Sequence, residues 1–196
     1  MLSFVAAVFL LLITPGPGVL SIAGVGSGFG WRAGTGFMAG LCVGSNLVGV
    51  MVISGLAALM LSVPWLRVGL LTASVLYLGW LAAKIAFSGS RVGFASAEAA
   101  PGFVNGVTLQ LINPKAYVVN SALFSGFPFW PGSLMAETLV KFAIINLLWL
   151  PIHMAWLWFG VALRRLELPG PAQRAINLAM AGSMLAVVGL ALWSQR

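Results

Sequence analysis

Leu111-Ile112-Asn113-Pro114-Lys115-Ala116 lies at the centre of an apolar segment, Val104 to Phe124, that otherwise reads as a membrane-spanning helix. A proline, an amide and a cation are the wrong residues for lipid. Pro114 removes a backbone hydrogen bond and clashes with the preceding turn. In hydrocarbon the freed carbonyls cannot go to water, so protein or a wet cavity must receive them. Lys115 stands about 11 residues into the span, roughly 16 Å at 1.5 Å per residue. That is near the middle of a core about 30 Å thick. A cation at that depth marks an ion or substrate path. The competing reading is a proline kink whose lysine snorkels to the surface, over a long reach.

The rest of the chain supplies the setting. Of 196 residues, 61% are hydrophobic and 7% charged, and the mean hydropathy is +1.05. Soluble domains carry about 25% charged residues, so this is an integral membrane protein surrounded by lipid. At about 20 residues per span, the length allows six helices, short loops and no soluble domain. The net charge of +7 reads as loops facing an anionic membrane surface, not as a nucleic-acid interface. The one cysteine, Cys42, excludes a disulfide framework and paired-thiol redox chemistry within the chain. The N-terminus lacks a basic n-region and reads as an uncleaved first helix.

Helix 1 is expected from Leu2 to Ala23, interrupted by Thr14-Pro15-Gly16-Pro17-Gly18. Two prolines and two glycines in five residues do not hold a regular helix. Two half-helices with an unwound joint are the simplest picture; a helix that stops at Ile13 would be short for a span. Helix 2 is expected over Gly34–Leu61. The fourfold spacing of Gly26, Gly30 and Gly34, and of Gly36, Gly40 and Gly44, suits close helix packing in lipid. Ser45 and Asn46 are polar residues inside it, open to interhelical hydrogen bonding or to cavity lining. Helix 3 is expected over Trp65–Phe87, helix 4 over Val104–Phe124, helix 5 over Leu139–Leu163 with Asn146, Pro151 and His153, and helix 6 over Ala175–Trp193. Gly126 to Gly132 is an aromatic turn suited to a membrane interface.

The fold class that follows is an all-α membrane protein of six transmembrane helices. Residues 1–87 form a first three-helix repeat, 88–102 a connecting loop and 103–196 a second repeat. Each half opens on a helix broken at a proline motif, and each holds an odd number of spans, so the halves have opposite topology. Inverted repeats of this kind place a site at the midplane between discontinuous helices. Half-helix N-termini then face an anionic group, and exposed carbonyls a cationic one, which suits a zwitterion. Candidate binding residues are Thr14, Pro15, Gly16, Pro17, Gly18, Asn46, Asn113, Pro114, Lys115 and Asn120, with Lys115 facing the carboxylate. Basic residues set the orientation. Arg32, Lys84, Arg91, Arg164, Arg165 and Arg174 fall on one side, against Arg67, Lys141 and Arg196 on the other, which puts both termini outside.

These residues resemble the LysE/RhtB family of small amino-acid exporters. The likeness covers nearly the whole chain, through Thr14-Pro15-Gly16-Pro17, Gly36 to Gly44, Leu76-Tyr77-Leu78-Gly79-Trp80-Leu81, Phe103 with Gly106, and Leu111 to Ala116. The resemblance implies six helices, an inverted repeat and proton-coupled export of amino acids across a bacterial inner membrane. Two departures stand out. Members usually carry Asn or Asp where this chain has Gly18, and many carry an acid in helix 2 where it has Ser45 and Asn46. There is no Asp, and Glu98, Glu137 and Glu167 are expected in loops or at helix ends. That leaves His153 as the intramembrane group that titrates near neutral pH, either as the proton-coupling residue or as an interhelical hydrogen-bond partner. Without an intramembrane carboxylate, a neutral zwitterion is favoured over a cationic substrate.

An enzyme is not expected: no triad, carboxylate pair or zinc-spaced cluster is present, and no metal or cofactor is implied. A small-solute channel or a non-transporting scaffold are the alternatives. The glycine-faced helix 2 suits packing within the monomer or a homo-oligomer equally.

Overall fold

The computed structural model describes residues 1–14, 16–86 and 100–166, with scattered positions between 170 and 186. Most of the expected sixth helix and of the 88–102 connection, with Pro15, Glu98 and Glu167, lies outside the described residues. Those that are described form helices and no strand: α1 (Leu2–Ile13), α2 (Pro17–Phe29), α3 (Trp31–Ile53), α4 (Leu56–Ser62), α5 (Pro64–Ala86), α6 (Phe103–Ile112), α7 (Pro114–Gly126) and α8 (Leu134–Arg165). The helices α3, α5 and α8 are each long and apolar enough to cross a membrane, and the pair α1–α2, bent by 49°, forms a fourth such unit.

The expected helix 1 is two helices. Thr14 is extended and ends α1; Gly16 is extended, and Pro17 opens α2. A proline suits the first helical position, where its missing N–H would lack a partner in any case. The second half runs to Phe29, beyond the expected end at Ala23, and is buried along almost its whole length. Gly30, at φ 83°, then turns the chain straight into α3, serving as the end of one helix and the cap of the next. A left-handed φ of this kind favours glycine.

The expected helix 2 is also divided. It starts at Trp31 and stops at Ile53, because Gly55 is left-handed (φ 76°) and the Gly55 N–H turns back to Val52 O at 3.1 Å. The short α4 follows, and Pro64 opens α5. The expected helix 4 separates at Asn113 into α6 and α7. The expected helix 5 begins five residues early, at Leu134, where the Ser133 hydroxyl accepts a hydrogen bond from Ala136 N at 3.3 Å. It passes through Pro151 without ending.

The spaced glycines are used inside the chain. A Cβ on Gly40 would collide with Phe103 O, and one on Gly44 would lie 2.7 Å from Gln110 Cβ, so α3 and α6 meet backbone to backbone. Likewise a Cβ on Gly160 would collide with Ala23 O, and one on Gly26 would approach Leu157 O to 2.9 Å, which locks α2 against α8. Tyr77 donates to Asn105 O at 2.7 Å and fastens α5 over α6.

The far end of the bundle is built differently. Glu137, expected in a loop or at a helix end, lies in the first turn of α8 and is buried. It pairs with Lys141 at 2.8 Å and accepts hydrogen bonds from Phe129 N at 2.9 Å and Trp130 N at 2.6 Å. Lys141, counted above with the cations of the outer side, is buried in this cluster, donating to Phe124 O at 2.9 Å beneath the rings of Phe4 and Phe129.

Candidate functional site

Between these ends the two breaks face each other. At the second, Asn113 caps α7: its Oδ1 accepts from Lys115 N at 3.1 Å, and Pro114 takes the first helical position. At the first, α1 stops and leaves its last carbonyls without helical partners. Lys115 answers one of them. Its ammonium donates to Thr14 O at 2.7 Å, joining breaks that stand 101 residues apart. The negative end of the α1 dipole favours a cation there. The lysine stem lies on Gly16, where a Cβ would come within 2.7 Å of Cδ and 3.0 Å of Nζ. The absence of a side chain at Gly16 is what lets the lysine cross.

A cavity of about 60 Å³ opens beside this crossing. Its lining brings together Thr14, Gly16, Gly18, Asn113, Lys115, Asn120 and His153 from the sequence-expected set. Pro17 and Pro114, the first residues of α2 and α7, are not among its lining residues. Asn46 does not line it. Its amide is spent on Cys42 O at 2.9 Å and on a reciprocal pair with Asn146, at 2.9 and 2.8 Å. The residue is therefore a link between α3 and α8, not part of the wall.

Three further residues complete the polar lining: Ser45, Gln110 and Trp149. Gln110 lies one helical turn before Asn113 and so shares its face; its Oε1 accepts from Asn113 Nδ2 at 2.9 Å. That leaves the Gln110 amide N–H₂ as a donor. Asn120 donates to Ala116 O at 2.8 Å and keeps its carbonyl oxygen as an acceptor. His153 is stacked on Trp149, ring centres 3.6 Å apart and 12° from parallel, and its Nδ1 lies 2.9 Å from Trp149 O. A carbonyl can only accept, so Nδ1 carries the proton.

The remaining walls are apolar, from Leu11, Leu12, Val19, Val119, Leu123 and Ile145. Lys115 is the charged residue among the described lining, and no carboxylate joins it. Two helix N-termini, those of α2 and α7, add their positive ends. The site thus offers donors at the crossing and acceptors toward His153 and Asn120, with hydrocarbon between. No group of three or more His, Cys, Asp or Glu able to hold a metal occurs among the described residues. A second, roomier groove of about 500 Å³, between Phe9, Ile13 and the Pro151–Phe159 face of α8, is apolar and has no comparable polar set.

Comparison with known proteins adds the following. The family model for LysE type translocators matches residues 9–196. The chain is similar to a leucine efflux protein of Klebsiella pneumoniae subsp. pneumoniae, with 30% identity over 128 residues, 63% of this chain and 60% of that protein. The match therefore spans less than two thirds of that relative's length. No solved structure matches the chain.

Proposed function

Because the chain belongs to the LysE type translocator family, we propose that it is a multi-pass membrane transporter that exports a small neutral amino acid, or a similar metabolite, across a bacterial inner membrane by alternating access. The observation that carries this reading is the crossing of the two breaks, with Lys115 bonded to Thr14 O beside a polar-lined cavity. The substrate carboxylate takes the Lys115 and Gln110 donors and the N-terminus of α2, while its ammonium takes Asn120 Oδ1 and His153. With no carboxylate in the lining, a second positive charge on the substrate has no partner, which favours a neutral side chain. The apolar walls suit an aliphatic one, in keeping with the leucine named for the Klebsiella relative.

A cavity of about 60 Å³ holds a few waters, far below the roughly 300 Å³ at which small-molecule sites begin. Substrate therefore has to widen it, as a site that closes and reopens on alternate sides requires. The inverted repeat, 1–87 against 103–196, draws support from the Asn46–Asn146 pair. Asn46 follows Pro15 by about as many residues as Asn146 follows Pro114, and the two side chains bond each other reciprocally, as like residues on a two-fold axis would. Both termini are assigned to the outside, since Arg32, Lys84, Arg164 and Arg165 share one end of the bundle. His153 is the candidate for proton coupling. The glycine stripes pack within the chain and so lend no support to a homo-oligomer.

The test is efflux from proteoliposomes preloaded with a mixed amino-acid pool, read by mass spectrometry with and without an imposed pH gradient. Selective, saturable efflux with counterflow is expected. Flux without counterflow would indicate a channel, and folded protein with no selective efflux a scaffold. Saturable lysine export with no neutral amino-acid export would overturn the substrate assignment.

A further inference from the structure

His153 holds a proton on Nδ1 because Trp149 O, 2.9 Å away, can only accept. The ring cannot turn over freely to exchange its nitrogens, since it lies flat on Trp149 at 3.6 Å and is 4% exposed. Nε2 is therefore the nitrogen with a lone pair. It has no protein partner among the described residues, and His153 is part of the cavity lining. One lone pair accepts one proton-bearing group at a time. From the other helices around the cavity, the charged group facing it is Lys115 of α7. The described lining from α1, α2, α3 and α6 brings no titratable side chain, and Cys42 of α3 is turned toward Asn146. Glu137 and Lys141 pair with each other at the far end of α8.

Resting on the export reading above, we propose that His153 Nε2 is a single seat, occupied in turn by the substrate's ammonium group and by a proton. With substrate bound, an ammonium N–H donates to the neutral imidazole. When substrate leaves, a proton from the outer solution takes the same lone pair, and the imidazolium now repels any ammonium that approaches. Release of that proton to the inner side restores the acceptor and admits the next substrate. One proton enters for each amino acid that leaves, no covalent bond is made or broken, and each occupant excludes the other. Exchange is then a consequence of one atom, and a carboxylate relay is not required. Trp149 is a positioning residue in this scheme: it fixes which nitrogen faces the cavity.

The experiment uses the full chain, purified in detergent and reconstituted, with leucine as the probe. In the wild type, leucine affinity should fall on acidification, approaching about tenfold per pH unit once Nε2 is protonated, and leucine binding at acid pH should release about one proton per molecule bound, read with a pH dye in weak buffer. In His153→Gln, which keeps an acceptor but cannot take the proton, whatever leucine affinity remains should no longer vary with pH, and an imposed pH gradient should no longer accelerate export. Wild-type binding that is independent of pH with no proton release would overturn the proposal, as would gradient-driven export that survives in His153→Gln. If that variant does not fold, the wild-type proton count decides alone. Should no amino acid show counterflow in the wild type, the export reading itself fails; counterflow without proton release defeats the shared seat and leaves export standing.

Discussion

The two ends of the bundle hold the same halves of the chain together by different means. At the end marked by Gly30 and Arg164, α3 meets α6 and α2 meets α8 through glycines, backbone against backbone. At the end marked by Phe4 and Glu137, the halves touch through side chains: Phe4 rests on Phe127 and Phe129, and Val8, Val119, Leu123 and Ile145 pack around it. The buried Glu137–Lys141 pair there braces α7, the aromatic turn and α8, all within the second half. Side chains can change rotamer and yield a path, whereas glycine-packed backbones separate only by moving whole helices. One end is thus a hard contact and the other a soft one, and the cavity lies between them.

The largest effect is expected where the soft end hides a charge. Lys141→Met leaves Glu137 without its cation, and thermal unfolding in detergent should show a fall on the order of 10 °C. Restoring neutrality in the double variant Glu137→Gln/Lys141→Met should recover much of it. An unchanged midpoint in Lys141→Met would mean that the brace does not hold this end.

Next come the hard contacts. Gly40→Ala and Gly160→Ala place a methyl against a carbonyl that cannot swing aside, and should each cost about 1–3 kcal/mol. Gly79→Ala, which meets nothing within 4 Å, should stay within about 0.5 kcal/mol. Equal behaviour of the three in the same unfolding assay would erase the distinction between the ends.

The smallest effect is expected at the link between α3 and α8. Asn46→Leu strands one side of the Asn46–Asn146 pair, for about 0.6–1.7 kcal/mol on the scale of intramembrane hydrogen bonds. Asn46→Leu/Asn146→Leu should be nearer the wild type than either single change. A simple sum of the two single losses would show that the amides act separately.

Much of this could be read from the chain because some residues dictate local geometry without help. Pro17, in a run of two prolines and two glycines, and Pro114, behind an asparagine cap, mark the starts of new helices, and the Gly40–Gly44 spacing announces a close neighbour. What escaped reading depends on partners remote in sequence or on backbone atoms. Lys115 bonds a carbonyl of Thr14, and no side-chain pattern names a carbonyl. Asn46 looks like lining until Asn146, a hundred positions away, is seen to take its amide. Gln110 was overlooked although it shares a helix face with Asn113. Gly55 ends α3 through its left-handed φ, while a lone glycine in an apolar run otherwise costs only about 1 kcal/mol. Glu137 is expected in a loop or at a helix end and Lys141 on the outer side, but their pairing and burial come from Phe4 and the aromatic turn, which no local pattern announces.

The central claim is that the cavity at the crossing of the two breaks is where substrate sits. Ser45 lines it without belonging to either break, so Ser45→Cys in a Cys42→Ala background gives a single reporter thiol. Its labelling by a small thiol reagent should proceed in reconstituted protein and slow severalfold when leucine is added, with a concentration dependence matching that of counterflow. Labelling unaffected by leucine, in protein that exports leucine, would place the substrate elsewhere and contradict the account.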